Sequence, residues 1–226
     1  MRAEYGGADK LTQYGGADKL NQYGGADELT EDSPAAGWVP LLQSWLADAR
    51  AAAVAEPNAM VLGTVDAAGH PATRTVLCKG LEPDGIVFFT NYGSDKARHL
   101  SGNPYASATF AWPAIGRQVT LRGPTERVRP AEIADYWRIR PRGAQLGAWA
   151  SAQSRPIGSR AELDRLLDAA AARFGDTEPI PIPEEWGGFR LRPDTVEFWQ
   201  GQVNRLHNRI RLTRGSAGWS AQRLQP

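Results

Sequence analysis

Hydrophobic residues just past position 40 recur at helical spacing. Leu41, Leu42, Trp45, Leu46 and Ala49 fall three or four residues apart on one side of a helix, and the pattern continues to about residue 54. We therefore predict the first helix, and the start of the folded region, near residue 38.

From residue 59 onward the pattern changes to short segments rich in Val, Thr and Phe, separated by turn residues. Such segments are typical of antiparallel strands. The predicted strands are residues 59–65, 73–79, 86–90, 106–112, 118–128 with a break at Gly123-Pro124, 188–191, 195–199, 209–213 and 219–223. This pattern predicts a mainly β fold, a closed or nearly closed β-barrel.

Two further helices interrupt the strands. One is predicted from Pro130 to about residue 140, because proline is favoured in the first turn of a helix. The other is predicted over residues 159–174, where Ser159 and Glu162 have the spacing of a capping box. Its apolar stripe consists of Leu163, Leu166, Leu167 and Ala170. We expect both helices at the periphery of the barrel.

The N-terminus contains a nine-residue repeat. Residues 5–13, 14–22 and 23–31 read YGGADKLTQ, YGGADKLNQ and YGGADELTE. Each unit has one large aliphatic residue, which is too little to build a stacked core. We predict a flexible arm over residues 1–37 and one folded domain over residues 38–226.

Composition narrows the classes of function. A chain of 226 residues with 42% hydrophobic content can bury one substantial core. Its formal net charge of +1 does not favour nucleic acid or an anionic membrane. The single cysteine, Cys78, excludes an intramolecular disulfide and a zinc site with two or more cysteine ligands. With no apolar run of about 18 residues, we expect a cytoplasmic protein without nucleic-acid or membrane partners.

Basic residues near strand ends are the candidate chemistry. The common nucleotide, zinc and serine-hydrolase motifs are absent, and three histidines far apart in sequence do not predict a metal site. Arg74 and Lys79 stand five residues apart, which places them on opposite faces of a regular strand, where each could serve a different ligand. Asn91, Ser94 and Lys96 form a turn that could cradle a phosphate. Taken singly, each is more often a solvated charge or a helix cap.

Ten short blocks, in order toward the C-terminus, carry a resemblance to a known family. They are RTVLCK (74–79), FFTNY (88–92), RQV (117–119), RPR (140–142), QLGAW (145–149), QS (153–154), WGGFR (186–190), EFWQG (197–201), RLHNR (205–209) and RLQP (223–226). Together they resemble the pyridoxamine (pyridoxine) 5′-phosphate oxidase family, and EFWQG with RLHNR is the most specific combination.

The resemblance implies a fold and an activity. The fold is an FMN-binding split β-barrel with peripheral α-helices, working as a homodimer that holds FMN noncovalently at its interface. The activity is oxidation of pyridoxamine 5′-phosphate or pyridoxine 5′-phosphate to pyridoxal 5′-phosphate by hydride transfer to FMN. Reoxidation by oxygen releases hydrogen peroxide, and the amine substrate also releases ammonia.

The resemblance also implies roles for individual residues. Its flavin contacts fall on Arg74, Thr75, Val76, Leu77, Cys78, Lys79, Phe89, Thr90, Lys96, Gln118, Gln153, Ser154, Trp199 and Arg209. Its substrate contacts fall on Lys79, Tyr136, Arg140, Arg205, Leu206 and His207, and on Arg2 and Tyr5 of an N-terminal Arg-x-Glu-Tyr segment. Cationic side chains would neutralise the phosphates. Arg205 and His207 would act as the catalytic residues, with His207 assisting proton movement.

The chain departs from the family pattern at several positions. Asp95 stands where an arginine is common, and Ala144 stands where some members have a serine. Gln202 and Asn208 replace an arginine and an aspartate. Tyr23, in place of Tyr5, matches the family in its distance from the first helix.

Two alternative functions stay open from the sequence. One is a split-barrel flavin or deazaflavin oxidoreductase acting on another substrate, or a haem-binding relative. The other is a vitamer-binding module without catalysis, which would need the phosphate-binding residues but not the flavin set.

Overall fold

The computed structural model describes residues 28–176 and 178–226. Most of the predicted arm, including Arg2, Tyr5 and Tyr23, lies outside the described residues. The chain divides into two compact units. Unit 1 comprises Met1–Pro57, Thr109–Leu121 and Asp194–Pro226, and unit 2 comprises Asn58–Ala108 and Arg122–Pro193. The sequence predicted one domain after residue 37, which stays a prediction; the two units alternate along the chain.

The described part of the chain consists mainly of antiparallel strands. In chain order the elements are α1 (Trp38–Ala51), β1 (Ala59–Val65), β2 (Pro71–Leu77), β3 (Gly80–Glu82), β4 (Gly85–Asn91), α2 (Asp95–Gly102), β5 (Tyr105–Trp112), β6 (Arg117–Arg127), α3 (Pro130–Ile139), α4 (Arg142–Ala150), α5 (Arg160–Phe174), β7 (Trp186–Leu191), β8 (Thr195–Gln200), β9 (Asn208–Gly215) and β10 (Gly218–Arg223). Two short 3₁₀ turns lie at Pro113–Ile115 and Val203–Arg205.

Unit 1 is built around α1 and the strands β8 to β10. The helix buries the hydrophobic face that the sequence predicted, and Trp45 packs edge-on against Phe198 with ring centroids 5.2 Å apart. Strands β8, β9 and β10 pair in sequence order as an antiparallel meander. Folded structure begins before residue 38, because Leu29 is only 1% exposed.

Unit 2 contains two sets of paired strands. In the first, β1 pairs with β2, and Leu62 lies opposite Arg74. In the second, β4 pairs with β3 and with β7, and β7 also pairs with β6. A Cβ on Gly188 of β7 would lie 2.9 Å from the Phe89 ring, so glycine is needed there to let the ring lie against the strand.

The helix after residue 158 begins as predicted but is less buried than its pattern suggests. The Ser159 hydroxyl accepts a hydrogen bond from Glu162 N (3.1 Å), while the Glu162 carboxylate accepts from Gly158 N (3.0 Å) instead of completing the box at Ser159. Leu166 and Leu167 of its apolar stripe are 43% and 39% exposed.

Several predicted boundaries were wrong. The first helix ends at Ala51, and β6 runs through Gly123-Pro124 without a break. Gly123 permits this continuity because a Cβ there would lie 2.1 Å from Arg192 O. Strand β3 and helix α4 were not among the elements predicted from the sequence. No helix among the described residues combines the length and hydrophobicity that a membrane span requires.

Candidate active site

A cavity of about 630 Å³ lies in unit 2 beside strand β2. Its volume is in the range of small-molecule sites, about 300–1,000 Å³. It is lined by Ala72, Thr73, Arg74, Thr75, Val76, Leu77, Lys79, Phe89, Thr90, Asp95, Lys96, Tyr136, Arg140, Gln153 and Ser154. All of these residues belong to unit 2.

Arg74 is held in this cavity by neutral acceptors. Its Nη1 donates to Thr64 Oγ1 (2.6 Å), Ala72 O (3.0 Å) and Leu62 O (3.2 Å). In the described part of the chain, no carboxylate lies within ion-pair distance of Arg74. Burial lowers the pKa of this guanidinium from its ordinary value, although nearby Asp95 partly offsets the effect.

Lys96 is a second cation that has no acidic partner at close range among residues 28–176 and 178–226. The residue is 8% exposed, and its Nζ donates to Gln153 Oε1 (3.1 Å) and Thr90 Oγ1 (3.2 Å). Burial, and then repulsion from Arg74, lower its pKa, while Asp95 acts in the opposite direction. Two cations that repel each other in one cavity favour binding of an anion.

In the turn before α2, two of the three residues suggested as a phosphate cradle make local hydrogen bonds and do not line the large cavity. The Ser94 hydroxyl is fully buried and caps the helix by accepting from Ala97 N (3.4 Å), and the Asn91 carboxamide accepts from Gly93 N (2.7 Å). Only Lys96 of the three residues lines the large cavity. Asp95 lines it as well and forms an ion pair with Arg98.

The prediction that Arg74 and Lys79 lie on opposite faces of one strand was also wrong. Strand β2 ends at Leu77, so Lys79 lies beyond the regular strand, and its backbone N–H donates to Val87 O (2.8 Å). Because the alternation of faces stops with the strand, both cationic side chains line the same cavity.

One wall of the cavity is a stack of aromatic rings. Phe89 and Tyr136 of the lining stack with centroids 4.1 Å apart, and Trp186, which is outside this lining, stacks on Phe89 at 5.3 Å. The Arg140 guanidinium lies over the Trp186 ring at 5.4 Å. Its Nε is buried and has no hydrogen-bond partner among the described residues. A buried donor without a partner is uncommon in native structures and is often a sign of a functional role.

A smaller cavity of about 250 Å³ shares part of this wall. Phe89, Thr90, Arg140 and Gln153 line both cavities. The remaining lining includes Ala144, where a serine hydroxyl would add a polar group. The Arg140 side chain thus borders both the large and the small cavity.

The EFWQG and RLHNR blocks place aromatic and basic side chains together in unit 1. Trp199 and His207 pack with ring centroids 4.6 Å apart. Gln202 N donates to His207 Nδ1 (3.1 Å), so the neutral ring carries its proton on Nε2. Burial, followed by the charge of Arg205, lowers the pKa of His207 from its ordinary value.

Arg205 has an uncommon backbone conformation. Its φ of 62° and the φ of 57° at Asn204 lie in the left-handed region, which costs an L-residue roughly 1–3 kcal/mol. The side chain is exposed, as is that of Leu206 at 68%. Such strain is typical of functional segments.

Glu197 holds Arg209 in place, a contact that the sequence alone did not predict. Its Oε1 accepts from Arg209 Nε (2.9 Å) and Nη2 (2.7 Å), and its Oε2 accepts from Arg211 Nη2 (2.8 Å). Arg209 Nη1 donates to Gln225 O (2.9 Å). Strand register explains the arrangement, because Glu197 lies directly opposite Arg211 and diagonal to Arg209.

The structure thus brings together most, but not all, of the residues assigned to ligands by sequence. The large cavity gathers Arg74, Thr75, Val76, Leu77, Lys79, Phe89, Thr90, Lys96, Tyr136, Arg140, Gln153 and Ser154. Cys78 lies outside its lining: the thiol is buried, donates to Gly80 O (3.2 Å), and has a pKa raised by burial to about 11. The candidates of unit 1 are Gln118, Trp199, Arg205, Leu206, His207 and Arg209.

Two family models match the sequence. Residues 46–174 match the model described as pyridoxamine 5′-phosphate oxidase. Residues 186–226 match the pyridoxine 5′-phosphate oxidase C-terminal dimerisation region.

Curated relatives are similar over most or all of the chain. A pyridoxine/pyridoxamine 5′-phosphate oxidase of Rhodococcus jostii is 58% identical over 195 residues, covering 86% of this chain and 87% of the relative. A protein of the same name from Mycobacterium sp. (strain JLS) is 55% identical over 226 residues, covering all of both chains.

Solved structures share the fold. PhzG from Burkholderia lata, determined with tetrahydrophenazine-1-carboxylic acid, has a TM-score of 0.81 and 30% identity, covering 89% of this chain and 99% of its own. A pyridoxamine 5′-phosphate oxidase-related, FMN-binding protein from Nostoc punctiforme has a TM-score of 0.66 and 21% identity, covering 81% of this chain and 97% of its own. The predicted mainly β split barrel with helices is confirmed.

Proposed function

The chain belongs to the pyridoxamine 5′-phosphate oxidase family, and we propose that it oxidises pyridoxamine 5′-phosphate and pyridoxine 5′-phosphate to pyridoxal 5′-phosphate in the cytoplasm, with oxygen as electron acceptor. Its cofactor is FMN. The C-terminal dimerisation region, residues 186–226, supports a homodimer, and we place the active site at its interface.

The observation that carries this proposal is the pair of cations Arg74 and Lys96. Both side chains line one cavity, and their hydrogen bonds go to neutral acceptors. A phosphate dianion would supply the missing negative charge through charge-assisted hydrogen bonds. The cavity volume of about 630 Å³ also suits a ligand with several rings. The residues present therefore fit FMN.

The remaining lining suits the phosphate of a substrate. We assign Lys79, Tyr136 and Arg140 to this group, because all three line the cavity and the buried Arg140 Nε has no acceptor among the described residues. Stacking of Tyr136 on Phe89 limits the rotamers of both rings. A substrate anchored in this way loses translational and rotational freedom before the reaction. This positioning supplies a large part of catalysis.

We assign Arg205 and His207 to the reacting end of the substrate. Arg205 would bind it through the fixed geometry of its guanidinium, and His207 would present Nε2–H to it, since Gln202 N already occupies Nδ1. Bound FMN would supply the acceptor for a hydride from the substrate and the means of passing two electrons to oxygen. Trp199, packed on His207, and Arg209, fixed by Glu197, complete the proposed flavin contacts.

An anaerobic titration tests this function. The purified FMN-loaded protein should lose its yellow colour when pyridoxine 5′-phosphate is added. Air should then restore the colour and yield one hydrogen peroxide for each pyridoxal 5′-phosphate. The amine substrate should give one ammonia in addition. If the flavin stays oxidised with both substrates but is reduced by an unrelated donor, the chain is a flavin oxidoreductase of another specificity.

Two controls distinguish the oxidase from a protein with a different cofactor and from a protein without catalysis. Acid extracts that contain deazaflavin or haem instead of FMN would contradict the cofactor assignment. Tight binding of pyridoxine 5′-phosphate without FMN and without turnover would indicate a vitamer-binding module.

A further inference from the structure

The three N-terminal repeat units differ in charge at two of their nine positions. All three share Tyr-Gly-Gly-Ala-Asp and a leucine at the seventh position. The sixth and ninth positions are Lys and Gln in the first two copies, but Glu28 and Glu31 in the third. The third copy is therefore the acidic one.

The end of the third copy is packed into unit 1. Leu29 is 1% exposed, and its backbone N–H donates to Gln200 Oε1 (2.9 Å). Its carbonyl accepts a longer bond from Arg223 Nη2 (3.4 Å). A leucine and backbone groups are present in every copy, so these contacts do not distinguish one copy from another.

The two glutamates make the contacts that do distinguish them. Arg223 binds Glu31 through two nitrogens on one edge of its guanidinium. Nε donates to Oε1 (2.7 Å), and Nη2 donates to Oε2 (3.0 Å). The third nitrogen, Nη1, donates to Asn208 Oδ1 (2.8 Å). Asn208 Nδ2 in turn lies 3.5 Å from Glu28 Oε1. The planar guanidinium thus matches a carboxylate in the third copy.

We propose that Gln200, Asn208 and Arg223 form a socket that selects the third copy by its two carboxylates. A lysine at position 28 would place an ammonium near Arg223 and remove the acceptor beside Asn208. A glutamine at position 31 would remove the charge from the bidentate contact. An aspartate at position 208 would repel Glu28. Specificity therefore comes from charge, while the buried leucine supplies affinity that all copies share.

This selection fixes the register of the arm on unit 1. If copy one or copy two were bound in place of copy three, the bound segment would lie 18 or 9 residues earlier in the chain. Lengthening a flexible connection by so little has only a small entropic cost. Without the two carboxylates, the third copy would keep one local contact that the others lack, from Thr30 N to Ser33 Oγ (2.9 Å), and the three registers would differ much less in free energy. The proposal is independent of the proposed catalytic function, since it concerns neither FMN nor substrate.

Moving the bound segment from copy three to copy two tests the proposal. In the FMN-loaded full-length protein, hydrogen exchange followed by mass spectrometry should show protection of the Leu29 amide. Glu28→Lys with Glu31→Gln makes the third copy like the first, and should reduce that protection roughly three- to tenfold, the range for an exposed but bidentate ion pair. Adding Lys19→Glu and Gln22→Glu should move the protection to Leu20.

Two further variants complete the design. Asp32→Asn removes one exposed acid next to the docked copy and should leave protection unchanged. Arg223→Glu should abolish protection, and Glu31→Arg in the same chain should restore it. Full protection of Leu29 in the Glu28→Lys, Glu31→Gln variant would overturn the proposal. So would failure of protection to move to Leu20 in the four-site variant.

Discussion

Replacing Lys96 with methionine should change stability and cofactor binding in opposite directions. The ammonium is buried, and its partners, Thr90 and Gln153, are neutral. Without a bound anion this charge is poorly compensated, which the lowered pKa of Lys96 reflects. The same group supplies a charge-assisted hydrogen bond when a phosphate is bound.

The magnitudes follow from these two roles. Replacing buried ion pairs by apolar side chains of similar volume is often neutral or stabilising by about 1–4 kcal/mol. Lys96 has no carboxylate in ion-pair distance among the described residues, so we take the upper part of that range, about 2–4 kcal/mol. The lost hydrogen bonds to Thr90 and Gln153 together offset about 2 kcal/mol, so the free energy of unfolding of the apoprotein should stay level or rise by up to ~2 kcal/mol. Loss of a hydrogen bond from a charged group costs ~1.5–3 kcal/mol, so the Kd for FMN should rise about 10- to 150-fold.

The assay compares apoprotein unfolding with FMN titration by flavin fluorescence. Lys79→Met is the matched control for stability: this lysine lines the same cavity but is exposed, so its loss should change the free energy of unfolding by less than about 0.5 kcal/mol. Lys96→Arg should retain most of the FMN affinity. A Lys96→Met apoprotein that is clearly less stable yet binds FMN normally would refute the reasoning.

Three other expectations concern catalysis and the arm. Arg205→Ala should lower kcat/KM by ~10²-fold, about 2.7 kcal/mol, while FMN stays bound, and near-normal turnover would contradict the assigned role. Because the pKa of His207 is lowered from 6.5, its neutral form is the one favoured by folding. Activity should therefore hold above that pH and fall on acidification with a midpoint below it, and His207→Asn should remove this acid limb from the profile. Deleting residues 5–22 should leave the melting temperature nearly unchanged, since Leu29 and its contacts remain; a large loss would show that the deleted copies contribute to packing.

Several elements that the sequence predicted well have one face buried and one exposed. Helix α1 and strand β5 show this pattern in both sequence and burial. Helix α4 was missed because Gly143 and Gly147 weaken its intrinsic propensity. It is stabilised by tertiary contacts instead, including the bond from Gln145 Nε2 to Trp137 O (2.7 Å).

The candidate site was predictable in its residue types but not in its geometry. Nothing in the spacing of Arg74 and Lys79 shows that β2 ends between them. The role of Ser94 as a helix cap was likewise hidden, because a serine before a helix suits a cap and a phosphate site equally. Glu197 became visible as the partner of Arg209 only through the register of β8 and β9.

The alternation of the two units along the chain has a consequence for protein synthesis. Strand β4 of unit 2 pairs with β7, whose residues follow about a hundred positions later. Unit 1 combines residues before position 58 with the segment Asp194–Pro226. As the chain grows from its N-terminus, β4 therefore has an unpaired edge until β7 is made, and unit 1 lacks β8 to β10 until translation is almost complete. Contacts so distant in sequence slow folding and prolong the exposure of strand edges. Unit 1, which begins first, is therefore the last to be completed on the ribosome.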